Sequence, residues 1–141
     1  MGEMEVKKAL LDTDVIIDFL RKGLANSIFQ KIKERKIEAY ISSITLFELY
    51  NGALLSKDPK QKLEDLSQMM NTINLMSFGG EQAYVASKIY AYLRKSGLSV
   101  EMKDIMIAAC AVSKGLELYT RNKKHFERMP ELEFLEISTR P

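Results

Sequence analysis

Apolar residues fall along this chain in short runs that alternate with longer amphipathic stretches. Lys8-Ala9-Leu10-Leu11 is a brief apolar run that stops at Asp12-Thr13-Asp14, after which Val15, Ile16, Ile17, Phe19 and Leu20 gather on one side of a helix ended near Gly23. The pattern repeats. Ala39-Tyr40-Ile41 reads as a strand leading to a helix from Thr45 to Leu55, and Asn74-Leu75-Met76 as a strand leading to a helix from Glu81 to Ser96 capped by Gly97. A helix from about Val100 to Lys114, with Gly115 just past its end, leads into the strand Glu117-Leu118-Tyr119. A short basic helix and a closing strand, Phe134-Leu135-Glu136-Ile137, complete the series. Strands separated by helices of this length predict an α/β fold: a central parallel sheet of four to five strands with helices on both faces, because parallel neighbours need long crossover connections. Ligands of such sheets sit off the carboxyl ends of the strands.

Composition narrows the class. With 141 residues, 46% of them hydrophobic and 28% charged, the chain suits one domain spanning residues 1–141. No repeat, low-complexity tract or Pro/Gly-rich break divides it. One cysteine, Cys110, and one histidine, His125, exclude a disulfide framework and a Cys/His zinc site. A reducing, cytoplasmic setting is the expectation. The longest apolar run, Ile105 to Val112, is far shorter than the roughly 20 residues of a membrane span, and Met1-Gly2-Glu3-Met4-Glu5 does not read as a signal peptide. A net charge of +2 makes no bulk case for nucleic acid, so any electrostatic case must come from local clusters.

The residues that follow the strands are mostly carboxylates. Asp12 ends the first strand with Asp14 two residues on, Glu48 lies in the first turn after the second, and Asp104, one turn beyond Glu101, opens the helix before the fourth. Anions gathered from such distant positions raise one another's pKa unless a cation sits among them. Oxygen-only donors select Mg²⁺ or Mn²⁺, often shared with a substrate's phosphate oxygens. The chemistry indicated is metal-assisted attack of water on a phosphodiester.

Plainer readings stand beside these. Asp14 precedes an apolar-periodic helix and reads as its N-cap, and Thr45-Leu46-Phe47-Glu48 spells a capping box in which Glu48 closes on Thr45. Glu101 reads equally as an acid favoured by the helix dipole. Asp12 follows a run that looks buried and needs a partner there, and Asp104 stands at the mouth of a helix apolar on every face. Thr120 and Asn122 follow the fourth strand and could complete a metal or water shell, although Asn122 also reads as a cap. Arg121, Lys123 and Lys124 are candidates for contact with a phosphate backbone, whereas Lys31, Lys33, Arg35 and Lys36 read as a solvated helix face. A lone histidine in a basic helix packs or caps, so His125 is not assigned as a base. Val85, Ile89, Tyr92 and Leu93, with Tyr84 and Tyr90 nearby, read as core or a self-association surface.

Four segments in order, LLDTDVIIDFL, ISSITLFELYNGA, KDIMIAACAVSKG and YTRNKKHFERMPELEFLEI, resemble the PIN domain, specifically the VapC-type toxins of toxin–antitoxin pairs, from about Lys8 to Ile137. The resemblance implies a Mg²⁺- or Mn²⁺-dependent endoribonuclease on a PIN-like fold, a homodimer, and inhibition by a small antitoxin whose C-terminal segment enters the acidic cleft. It maps Asp12, Glu48 and Asp104 onto the family's three acids, and Thr13 and Asp14 onto its L-D-T-[ND] element. Many members carry a fourth acid after T-R-[ND], where this chain has Asn122 and His125, so one well-occupied ion site is expected, with Glu101 as the candidate substitute acid. Two rivals remain. Asp12-Thr13-Asp14 also fits the opening of haloacid-dehalogenase phosphatases, with Asp12 as nucleophile, but no adjacent acidic pair opens the later loop that chemistry needs. A catalytically silent binding module of the same fold is the other, and three retained acids argue against it.

Overall fold

The computed structural model describes residues 5–22 and 27–137. Four strands, β1 (Lys7–Leu11), β2 (Ile37–Ser42), β3 (Asn74–Met76) and β4 (Glu117–Tyr119), form one sheet in the order β3-β2-β1-β4. Every pairing is parallel, with Ala9 opposite both Ala39 and Glu117. Among the described residues six helices connect them: α1 (Thr13–Lys22), α2 (Ser27–Lys33), α3 (Ser43–Leu54), α4 (Pro59–Met69), α5 (Gly80–Lys95) and α6 (Met102–Lys114).

Strand side chains alternate between faces, and the sequence uses both. Ala9 and Leu11 of β1, with Ala39 and Ile41 of β2, pack against Val15, Ile16, Ile28, Leu49 and Leu66 on one side. Leu10 and Leu118 face the other way, onto Ile89 and Leu93 of α5 and the buried run of α6. A strand buried on both faces must be apolar at consecutive positions, which is why Ala9-Leu10-Leu11 is unbroken. Lys8, next to that run, is exposed. Along α6, Ile105 and Ile107 to Ala111 are buried, as an all-round apolar helix must be. The α5 stripe divides: Ile89 and Leu93 are core, while Tyr84, Tyr90 and Tyr92 are exposed.

Several boundaries differ from the periodicity. Helix α3 begins at Ser43 because Ser42 caps it, its hydroxyl accepting from the Thr45 backbone N–H at 3.0 Å. Thr45 is therefore inside the helix and the expected capping box does not form. Likewise α1 starts at Thr13, so Asp14 lies in its first turn, and Asp12 accepts from the Thr13 N–H at 2.8 Å. Helix α4 has no counterpart in the periodic reading, although Asp58-Pro59 marks its start, with the Asp58 carboxylate accepting from Gln61 N–H at 3.2 Å. The closing strand shrinks to one parallel bridge between Leu118 and Phe134. Leu118 donates to Glu133 O and accepts from Leu135 N–H, and β4 is too short, at three residues, to extend the pairing. The basic helix after β4 is a single 3-10 turn, Lys123–His125. The helix stop predicted at Gly23 lies outside the described residues.

Gly97 and Gly115 end α5 and α6 with φ of 72° and 64°. At Gly115 a Cβ would meet no atom within 4 Å, so an alanine there suffers from backbone strain alone. Gly115→Ala is expected to cost about 1 kcal/mol in urea denaturation, with unchanged m-value.

Candidate active site

The chain passes from β1 through β2 to β3 in one direction across the sheet and then places β4 on the far side of β1. The crevice between the carboxyl ends of β1 and β4 is thus where side chains can meet a ligand without helix backbone in the way. Asp12 leaves β1 at this point and Thr120 leaves β4. The Asp12 N–H donates to Tyr119 O at 3.0 Å, extending the strand pairing by one residue. The Thr120 hydroxyl donates to Asp12 Oδ2 at 2.8 Å while accepting from the Asn122 N–H at 2.9 Å. With Oδ1 held by Thr13 N–H, the Asp12 carboxylate is fixed at both oxygens and 6% exposed.

Glu48 approaches from α3. Its Oε1 accepts from the Thr13 hydroxyl at 2.6 Å, and its Oε2 accepts from Lys103 Nζ at 3.1 Å. The Thr13 and Thr45 hydroxyl oxygens are 3.0 Å apart, and Ser42 Oγ donates to Thr45 Oγ1 at 3.3 Å. A hydroxyl has one proton. Thr13 gives its proton to Glu48 and so must accept from Thr45, which must in turn accept from Ser42. The result is a buried, one-directional chain from the β2 terminus to the Glu48 carboxylate. Thr45→Val breaks the chain and leaves the proton of the buried Ser42 hydroxyl without its acceptor, which is expected to cost about 1–3 kcal/mol by thermal or urea unfolding; Thr45→Ser is expected to recover most of it.

Asp104, in the first turn of α6, is as buried as Asp12, and His125 Nδ1 lies 3.6 Å from its Oδ2. Burial, above all, raises the pKa of both acids. Asp12 and Asp104 repel each other, and Asp14 and Glu48 add to the repulsion at Asp12. Two buried carboxylates with a third close by are short of positive charge, and a hard divalent ion suits an all-oxygen donor set. Among the described residues, no three acidic, histidine or cysteine side chains are drawn close enough to grip an ion directly. Mg²⁺, which keeps several waters, can be held partly through them.

The remaining candidates divide. Asn122, which does not cap the 3-10 turn with its side chain, donates from Nδ2 to Asp14 Oδ2 and joins the far ends of β1 and β4. Glu101 caps α6 by position, without a side-chain hydrogen bond, and its carboxylate is 4.0 Å from Lys103. Of the basic residues, Arg121 pairs with Asp18 at 3.0 Å and Lys123 with Glu136 at 2.9 Å, whereas Lys124 borders a cleft shared with Glu101, Asp104 and His125. The Lys123–Glu136 pair is exposed on both sides, and such pairs are weak. Three contributors are not evident from sequence: Lys103 on Glu48, His125 beside Asp104, and the Ser42–Thr45 hydroxyls. Their one local sign is a cluster of hydroxyls, Ser42-Ser43-Ile44-Thr45, at a strand end.

Residues 9–132 match the model of the PIN domain. A ribonuclease VapC of Rickettsia bellii is 32% identical over 91% of this chain and 95% of its own length. A tRNA(fMet)-specific endonuclease VapC of Shigella flexneri is 33% identical over 86% of this chain and 92% of its own. Among solved structures, DNA-bound VapBC from Salmonella typhimurium superposes with a TM-score of 0.84 at 29% identity, covering 92% of this chain and 98% of that one.

Proposed function

This chain belongs to the PIN-domain family, among the VapC ribonucleases, and from that membership we propose that it is a divalent-metal-dependent endoribonuclease, the toxin of a two-protein module. The strongest support is electrostatic: Asp12, Glu48 and Asp104 come from three different elements, yet Glu48 repels Asp12 and Asp12 repels Asp104. In this reading those three carboxylates hold Mg²⁺ or Mn²⁺. When bound, the ion supplies a lowered pKa for the attacking water and charge neutralisation at the phosphate.

The chain's own residues do the rest. Thr120 and the Thr13 N–H hold the two oxygens of Asp12, so its carboxylate needs no reorganisation when substrate arrives. The hydroxyl chain ending at Thr13 does the same for Glu48. Asp14, steadied by Asn122 and exposed, is placed to orient water, with Glu101 in the same role at the other side. Lys124, and Arg121 and Lys123 once released from their carboxylates, meet the phosphate backbone and position the strand without reading bases. Water is the nucleophile, so cleavage leaves a linear phosphate end and no 2′,3′-cyclic phosphate.

The experiment is to incubate purified protein with tRNA and with single-stranded RNA in Mg²⁺, Mn²⁺ or EDTA and to analyse the product ends. Cleavage only with metal, giving linear ends, supports the proposal; cyclic ends or EDTA-resistant cleavage refutes it. A vanadate-sensitive phosphatase activity without RNA cleavage would favour the dehalogenase reading instead. The substrate class of the Shigella relative makes tRNA the first RNA to test. The VapBC complexes among the structural neighbours support a small antitoxin as the partner; a homodimer in the cytoplasm is proposed from the family resemblance alone. Among the described residues no helix is long and apolar enough to cross a membrane.

A further inference from the structure

Both oxygens of Glu48 have a donor, but the donors differ in kind. Oε1 takes a neutral hydroxyl from Thr13 at 2.6 Å, whereas Oε2 takes the ammonium of Lys103 at 3.1 Å. Lys103 directly precedes Asp104 on α6, so the helix that delivers one of the three acids also delivers a cation to another. The same ammonium is 4.0 Å from Glu101 Oε2, and so stands between the cap of α6 and Glu48. Glu101 and Glu48 are the carboxylates that flank Lys103, while Asp14, the remaining acid of the site, is hydrogen-bonded to Asn122 on the β4 side.

We propose that Lys103 is a built-in counter-cation that limits this site to a single divalent ion by occupying the outer oxygen of Glu48. The inference rests on the reading of Asp12, Glu48 and Asp104 as the ion's holders. A positive charge within hydrogen-bonding distance of a carboxylate oxygen competes with a second cation for that oxygen and repels it at short range. Lysine suits this role as a compact point charge on a flexible stem. Its side chain is half exposed and is not part of the core, so its replacement leaves the fold intact.

The test is calorimetric titration of Mn²⁺ alone into the full chain and into Lys103→Gln, Lys103→Arg and Lys124→Gln, with melting curves to confirm folding. Wild type, Lys103→Arg and Lys124→Gln are expected to bind one equivalent per chain, and Lys103→Gln two. Lys124 controls for general loss of positive charge, since it borders the cleft lined by Glu101, Asp104 and His125, which Glu48 does not line. One equivalent in Lys103→Gln, two in wild type, or a second ion in Lys124→Gln as well would each overturn the role of Lys103. No binding by wild type would overturn the metal reading itself, a failure distinguishable from the others because it appears before any variant is made.

Discussion

Asp12→Asn is expected to lower RNA cleavage by about a thousandfold, the several kcal/mol of transition-state stabilisation that a correctly held metal supplies. The loss comes without unfolding. Asparagine keeps an oxygen for the Thr13 N–H and turns its amide toward Thr120, whose hydroxyl can accept as well as donate. Charge, and not shape, is what the substitution removes. Single-turnover cleavage of tRNA in Mn²⁺, alongside a melting curve in EDTA, checks both halves. A variant that cuts within tenfold of wild type would show that Asp12 is only the turn residue and cap that its hydrogen bonds also describe.

The second large effect concerns stability and metal together. In saturating Mn²⁺, at about a hundredfold excess over Kd, the protein is expected to gain about 2.7 kcal/mol, roughly 8 °C in Tm for a domain of this size. Asp104→Asn should abolish that gain and, in EDTA at neutral pH, melt above wild type. The sign follows from the raised pKa of Asp12 and Asp104, which burial and mutual repulsion produce. A carboxyl whose pKa is higher folded than unfolded binds more protons in the folded state between those two values. In EDTA, the destabilisation from its ionised form is therefore full above the folded pKa and is relieved as pH falls through it. Ion binding needs both groups ionised, so the Mn²⁺-induced gain should shrink on acidification at a higher pH than the ordinary carboxylate range near 4 would suggest. Melting curves from pH 4 to 8, with and without Mn²⁺, should therefore converge at the acid end. Parallel curves across that range, or a wild-type gain retained in Asp104→Asn, would remove Asp104 from the ion site.

The layered architecture is legible in the sequence because burial on both faces of β1 demands an unbroken apolar run and because α6 is apolar all round, patterns that a half-exposed strand or a surface helix does not produce. The acids at strand ends follow from the same logic. What is not legible depends on partners far apart along the chain. Thr45 has the residue type of a helix start, and nothing in its own four residues reveals that Ser42 takes that place one turn earlier. Lys103 has the local signature of a surface lysine, and only folding brings α6 beside α3 so that it meets Glu48. The final strand falls short of its periodicity for a related reason: Phe134 to Ile137 has a strand's composition, but its neighbour β4 is too short to pair with more than a bridge. Helix α4 hides from the period because its surface is exposed and charged, although Asp58-Pro59 announces it.

The pairing of β1 with β4 carries a consequence for the order of events in the cell. These two strands are joined only after nearly the whole chain has been made, and Asp12 receives the Thr120 hydroxyl, and Asp14 the Asn122 amide, from beyond that junction. Contacts so distant along the chain form late and slowly. With the proposed site, the half-made chain has Asp12 but not the neighbours that hold it, so RNA cleavage is expected only once β4 and the residues after it have left the ribosome.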